Sequence, residues 1–155
     1  MALLKKGNKA PALDAVDQNG KKVSLDSYKG KKVIVYFYPK DDTPGCTAEA
    51  CSLRDNYGDL TSKGFVVIGV SADSEQSHKN FISKYNLPFI LVSDPDKKVL
   101  KAWGVWGEKK MYGKSYEGIL RTTYIVSEDG TIEYIFDKVD TKNHANQILE
   151  AIELN

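Results

Sequence analysis

Two runs in this chain, KKVIVYFYP at residues 31–39 and FVVIGVSA at residues 65–72, are almost unbroken in β-branched, aliphatic and aromatic side chains. A strand with one face in water alternates apolar and polar residues, whereas one that is apolar at nearly every position is covered on both faces. Between the two runs, Ala50, Leu53, Tyr57 and Leu60 recur at helical spacing until Gly64 stops them. A buried strand, a helix and a second buried strand in succession pair in parallel by preference, with the helix crossing over one face.

The rest of the chain extends that unit. PALDAVDQNGKKVSL alternates weakly about Asn19-Gly20, a short hairpin signal near the N-terminus. After FVVIGVSA, a helix carries Phe81, Ile82 and Tyr85 on one side and ends before Pro88. FILVSD reads as a short strand, PDKKVLKAWG as a helix opened by Asp94 and Pro95, and VWGEKKMYGKSYEG as an irregular loop containing glycines. RTTYIVSEDGTIEYIFD is a hairpin around Asp129-Gly130, and NHANQILEAIEL a closing helix. The expected architecture is α/β: a central mixed sheet flanked by helices, with an N-terminal β-hairpin, resembling a thioredoxin-like fold by element order. At 155 residues with 41% hydrophobic content, one domain over residues 1–155 is expected.

Charge excludes some partners. The net charge of +1, from 22 basic and 21 acidic residues, creates no long-range field for nucleic acid or an anionic membrane, and neither is expected as a partner. The lysine clusters at Lys29–Lys32 and Lys109–Lys110 read as solvated surface. MALLKKGNKAP has too short an apolar run for a signal peptide, and no stretch reaches the ~20 apolar residues of a membrane helix. A cytoplasmic protein is expected.

In such a chain the two cysteines stand out. Cys46 and Cys51 lie in YPKDDTPGCTAEACSLRD. With Thr43 as N-cap, Pro44 takes the first helical position, where its fixed φ suits a helix and its missing N–H costs nothing. Cys46 then falls at the third helical position, where an acceptor side chain reaches back to the cap N–H and faces the positive helix end. Both effects favour a thiolate, and Gly45 leaves no side chain over the sulfur. Several uses of such a pair stay open. Cys51 taken alone reads as a mid-helix core residue; a small buried hydrophobe is the plain alternative for Cys46, which its place beside the N-cap argues against. A zinc site would need four ligands, and the two histidines, His78 and His144, sit in separate helical segments and read as ordinary surface residues. A general thiol–disulfide oxidoreductase shares the low-pKa cysteine but usually carries Cys-x-x-Cys. A non-enzymatic holdase on the same fold is a further alternative.

Pro39, Thr43 and Cys46 in PKDDTPGC match the Pro-x-x-x-Thr-x-x-Cys motif of the peroxiredoxins, and Arg121 in RTTYIV matches the arginine that family carries at the start of a late strand. The Cys-x-x-x-x-Cys pair, SLRD after it, and VWGEK…YEGILRTTYIV are similar to the bacterioferritin comigratory protein or peroxiredoxin Q subfamily, over essentially the whole chain. The resemblance implies a thiol peroxidase without a cofactor or metal. In it Cys46 attacks a hydroperoxide and becomes a sulfenic acid, Cys51 resolves it to an intramolecular disulfide, and thioredoxin or a similar dithiol reduces the disulfide. It leans to a monomer, with a dimer as the alternative.

Residue chemistry agrees with those roles. Arg121 is permanently cationic and offers fork-like donors to a thiolate and to peroxide oxygens. Thr43 suits either the helix N–H groups or the substrate oxygen, and Pro39 would shield the thiolate from water. Glu49 is one turn beyond Cys46 and could position Arg121 or Arg54, although a solvated first-turn carboxylate is the plainer expectation. Trp103 and Trp106 are expected to serve aromatic packing rather than the pocket. The spacing of the cysteines carries a further expectation. On an α-helix, residues five apart lie about 7.5 Å along the axis and ~140° around it, roughly 8.7 Å between Cα atoms. A disulfide needs less than about 7 Å, so bonding requires residues 44–52 to unwind.

Overall fold

The computed structural model describes residues 3–153. Both apolar runs form the centre of a seven-stranded sheet: β1 (Ala15–Asp17), β2 (Lys22–Val23), β3 (Lys32–Phe37), β4 (Phe65–Ser71), β5 (Ile90–Ser93), β8 (Thr122–Val126) and β9 (Ile132–Phe136), in the order β2-β1-β5-β4-β3-β8-β9. As expected, β3 and β4 run parallel, with Tyr36 opposite Gly69, and β4 runs parallel to β5. The outer strands are antiparallel, so the sheet is mixed. Asn19-Gly20 joins β1 to β2, with Gly20 at φ +74°.

The unbroken apolar character of β3 has a direct explanation. Val33, Val35 and Phe37 point to one side, where they pack with Ile68, Val70, Trp103 and Tyr124. Ile34 and Tyr36 point to the other, among Ala50, Leu53, Leu60, Val67, Phe81 and Ile148. The second layer is covered by α1 (Pro44–Asp55), α2 (Tyr57–Ser62), α3 (Glu75–Tyr85) and α5 (His144–Glu153), and the first by α4 (Lys98–Ala102). Trp103 is fully buried against Phe37 and Tyr124. Among the described residues no helix is long and apolar enough to cross a membrane.

Three expectations need correction. The helix after the first strand does not run on to Gly64; it breaks at Asn56, whose φ of −111° leaves the helical region and whose side-chain amide donates to Ser52 O at 2.9 Å. The helix expected from Asp94 and Pro95 is only Lys98–Ala102, because Lys97 takes a left-handed conformation at its start; Asp94 instead accepts from Leu100 N at 2.8 Å. The segment read as an irregular loop is a two-stranded ribbon, β6 (Trp106–Met111) and β7 (Lys114–Ile119), turned by Tyr112 and Gly113 at positive φ. Its few apolar positions gave no strand periodicity, since most of β7 faces solvent.

Gly69 is required by a close approach. A Cβ there would lie 2.8 Å from the Tyr36 ring and 2.7 Å from Leu91 Cδ2. Gly69→Ala is expected to lower unfolding free energy by about 1–3 kcal/mol, measured by denaturant titration, because two buried side chains must shift to make room.

Candidate active site

Cys46 is the third residue of α1, with Thr43 as N-cap and Pro44 in the first position, and Thr47 N closes the first turn on Thr43 O at 2.8 Å. The thiol is buried at 1% exposure, and Cys51 is half-buried five residues further along the same unbroken helix; both are free. Thr43 differs from expectation in one respect. Its hydroxyl donates to Lys40 O at 2.8 Å and makes no bond to the helix N–H groups, so its cap role is one of backbone position alone. Pro39 is half-buried just past β3, where the chain leaves the sheet.

Arg121, immediately before β8, reaches across to the helix start, and its Nη2 lies 3.4 Å from Cys46 Sγ. Gly45 makes the space for it: a Cβ there would sit 3.2 Å from Nη2. Nη1 donates to Glu49 Oε1 at 2.7 Å. Glu49 is therefore no solvated carboxylate; it has 0% exposure, and burial pushes its pKa up to about 7 against the opposing pull of Arg121. Of the two arginines considered for it, the structure pairs it with Arg121. Arg54 instead bonds Asp55 and Tyr85 O.

Both histidines are fully buried, contrary to the surface reading. Each sits in a polar sequence neighbourhood, and only the tertiary contacts put it inside. His144 Nδ1 lies 2.9 Å from Gln147 Oε1, while the Gln147 amide donates to Lys138 O. Nδ1 therefore carries the hydrogen, and Nε2 accepts from Thr123 Oγ1 at 2.7 Å. Burial drives the His144 pKa down to about 4, so the ring is neutral at neutral pH. His78 donates through Nε2 to Val92 O at 3.0 Å and meets Asp41 Oδ2 through Nδ1 at 2.7 Å.

Asp41 gathers the loop that precedes Cys46. It accepts from Tyr38 at 2.5 Å and Ser77 at 2.8 Å, its own N–H donates to Asp73, and Asp42 holds Lys84 and Tyr85. Residues 38–42 are thus tied to β4 and α3. Asp41, Asp73 and His78 come close enough to hold an ion, but the Asp41 oxygens are already occupied by protein donors. Lys109 is a further correction. Its stem crosses Gly118, its Nζ donates to Ile119 O at 2.9 Å, and burial, with Arg121 close by, lowers its pKa. Only Lys110 of that pair is exposed.

The site thus sets a thiol at a helix N-terminus, 3.4 Å from a guanidinium that is itself held by a buried carboxyl. The model of the AhpC/TSA family matches residues 6–135. The chain belongs to that family. It is a peroxiredoxin of the Bcp and PrxQ kind: it is 48% identical over 143 residues to a Coxiella burnetii protein named as a peroxiredoxin (bcp), covering 92% of this chain and 95% of that one. It is 45% identical over 146 residues to Peroxiredoxin Bcp of Escherichia coli, covering 94% of each. A solved structure of the Xanthomonas campestris bacterioferritin comigratory protein, described for its alkyl peroxide reduction activity, superposes with a TM-score of 0.87 at 35% identity, over 99% of this chain and 98% of that one. This peroxiredoxin therefore has the thioredoxin-like fold that its element order suggested, and its enzyme class is thiol peroxidase.

Proposed function

We propose that this peroxiredoxin reduces hydrogen peroxide and organic hydroperoxides through Cys46, with Cys51 as the resolving thiol and thioredoxin or a similar dithiol as the reductant. The observation that carries the reading is the 3.4 Å approach of Arg121 Nη2 to Cys46 Sγ at the third position of α1. Helix end and guanidinium both favour the thiolate. The sulfur attacks the terminal peroxide oxygen; the S–O bond forms as the O–O bond breaks, and the departing alkoxide or hydroxide takes a proton. Arg121 stabilises the charge as it develops. Thr43, with its own hydrogen on Lys40 O, faces the substrate as an acceptor for the peroxide O–H, and Pro39 limits water at the loop.

Cys51, as thiolate, then attacks the Cys46 sulfenic sulfur; the S–S bond forms and hydroxide leaves, protonated to water. Both cysteines lie in one helix, so the disulfide closes within one chain, which favours a monomer acting as a single catalytic domain over residues 1–155. A redox pair that is regenerated by a dithiol fits a reducing cytoplasm.

The test is peroxide-dependent NADPH consumption with thioredoxin and its reductase, comparing hydrogen peroxide, tert-butyl hydroperoxide and a lipid hydroperoxide. Steady turnover with thioredoxin is expected. Reduction of protein disulfides without peroxide, and no peroxide consumption, would replace this reading with a general thiol–disulfide oxidoreductase. Turnover with dithiothreitol alone would overturn only the choice of reductant.

Disulfide closure requires α1 to open, since the intact helix holds the two Cα atoms roughly 8.7 Å apart. Amide exchange is expected to lose protection over residues 44–52 on oxidation, with the sheet unchanged. Leu53, fully buried, and the Ser52 bond to Ala145 N at 3.1 Å anchor the helix at that limit. Equal protection in both states, with the disulfide verified by mass, would contradict the unwinding step.

A further inference from the structure

Glu49 lies in α1 between the two cysteines, so any opening of the first turns carries its side chain out of the core. In the closed helix its Oε1 takes the Arg121 hydrogen bond, while its Oε2 is buried with no hydrogen-bond partner. Oε2 faces His144 Nε2 at 3.6 Å. That nitrogen is an acceptor, because His144 Nδ1 holds the ring hydrogen against Gln147. Its one lone pair is taken by Thr123 Oγ1 at 2.7 Å, so no donor reaches Oε2 in a site closed to water. From the other elements packed here, β3 presents the Tyr36 phenol, also buried and without a partner at its oxygen, and α1 itself presents Cys46. Among these groups Arg121 alone stabilises an anion, and it does so at one oxygen while also facing the Cys46 sulfur. A proton on Oε2 removes the cost of a fully buried anionic oxygen that no donor reaches.

We propose that Glu49 is a positioning residue that links the opening of α1 to proton release: neutral while packed against His144, it ionises once the helix unwinds, so that rising pH drives the opening and speeds capture of the Cys46 sulfenic acid by Cys51. The inference rests on the two-cysteine cycle above. In the step itself Glu49 passes one proton to solvent, and no bond to sulfur changes. The direction follows from the carboxyl's raised pKa of about 7 in the closed helix, against 4.5 when exposed. Its contribution to holding α1 closed is fully present below about pH 4.5 and is lost as pH rises through about 7. In mild acid the helix stays closed longer, the sulfenic acid survives longer, and overoxidation of Cys46 by a second peroxide increases.

The experiment mixes reduced protein with one equivalent of hydrogen peroxide from about pH 5 to about pH 8 and follows disulfide formation in wild type and Glu49→Gln. Any pH dependence common to the two proteins cancels in the ratio of their rates, which isolates Glu49. The wild-type to Glu49→Gln ratio is expected to rise on the order of tenfold or more between about pH 5 and 7; superimposable profiles would overturn the proposal. A second measurement needs no variant. At about pH 6, the oxidised-minus-reduced infrared spectrum of the wild-type protein should lose the C=O stretch of one protonated carboxyl. An unchanged carboxyl region would overturn the proposal even if Glu49→Gln fails to fold. Failure of the wild-type protein to form any disulfide would instead strike the peroxidase cycle on which the inference rests.

Discussion

Replacing Cys46 by serine takes peroxide turnover to background, a loss on the order of 10⁴-fold or more, as expected when the group that forms the covalent intermediate is removed. Serine is nearly isosteric and keeps its place at the third position of α1, so the fold should survive; what disappears is the sulfur nucleophile, for which an alcohol at the same place is no substitute. Cys51→Ser gives a different result in the same assay. It is expected still to consume one equivalent of peroxide per chain at the wild-type rate and to accumulate sulfenic acid at Cys46, while thioredoxin-coupled turnover stops. The pair of outcomes separates attack from resolution. Full coupled activity in Cys46→Ser would end the assignment of the nucleophile, and full coupled activity in Cys51→Ser would end that of the resolver.

Arg121→Lys is expected to slow the reaction of Cys46 with peroxide by a factor on the order of 10², although the charge is kept. The arginine does two things at once: Nη2 faces the sulfur at 3.4 Å and Nη1 holds Glu49 at 2.7 Å. A planar fork spans both; one ammonium on a flexible stem satisfies one and abandons the other. Losing the Glu49 bond also leaves that buried carboxyl with no partner among these groups, which favours its neutral form. Stopped-flow oxidation of the reduced variant, under single-turnover conditions, reads the effect without involving the reductant. An unchanged rate would reduce Arg121 to a structural ion pair.

The parts of this molecule that were legible in the sequence are those set by local pattern. Continuous apolar runs announce strands buried on both faces, and β3 and β4 are such strands. Thr43, Pro44 and the helical spacing after them place Cys46 in the first turn of a helix, where the structure has it. What was not legible depends on partners distant in the chain. Nothing around His78 or His144 signals burial, because Asp41, Val92, Thr123 and Gln147 meet them only after the sheet and helices assemble. Glu49 looks like a solvated first-turn carboxylate until Arg121, 72 residues away, arrives over Gly45. The ribbon from Trp106 to Ile119 leaves no signal in the sequence because a strand pair standing off the main sheet needs no apolar periodicity. The partial burial of Lys109 is hidden with it, since its stem lies against Gly118 only once the two strands pair.

The central claim is that Cys46 takes the oxygen and Cys51, in the same helix, attacks the resulting sulfenic sulfur and displaces that oxygen as water. Peptide mass mapping of the reduced protein after one equivalent of hydroperoxide tests this most directly, with unreacted thiols blocked at acid pH. The expected product is a single disulfide joining the Cys46 and Cys51 peptides, formed at one per chain with no intermolecular species. Recovery of both cysteines as blocked thiols, with the peroxide unconsumed, would contradict it.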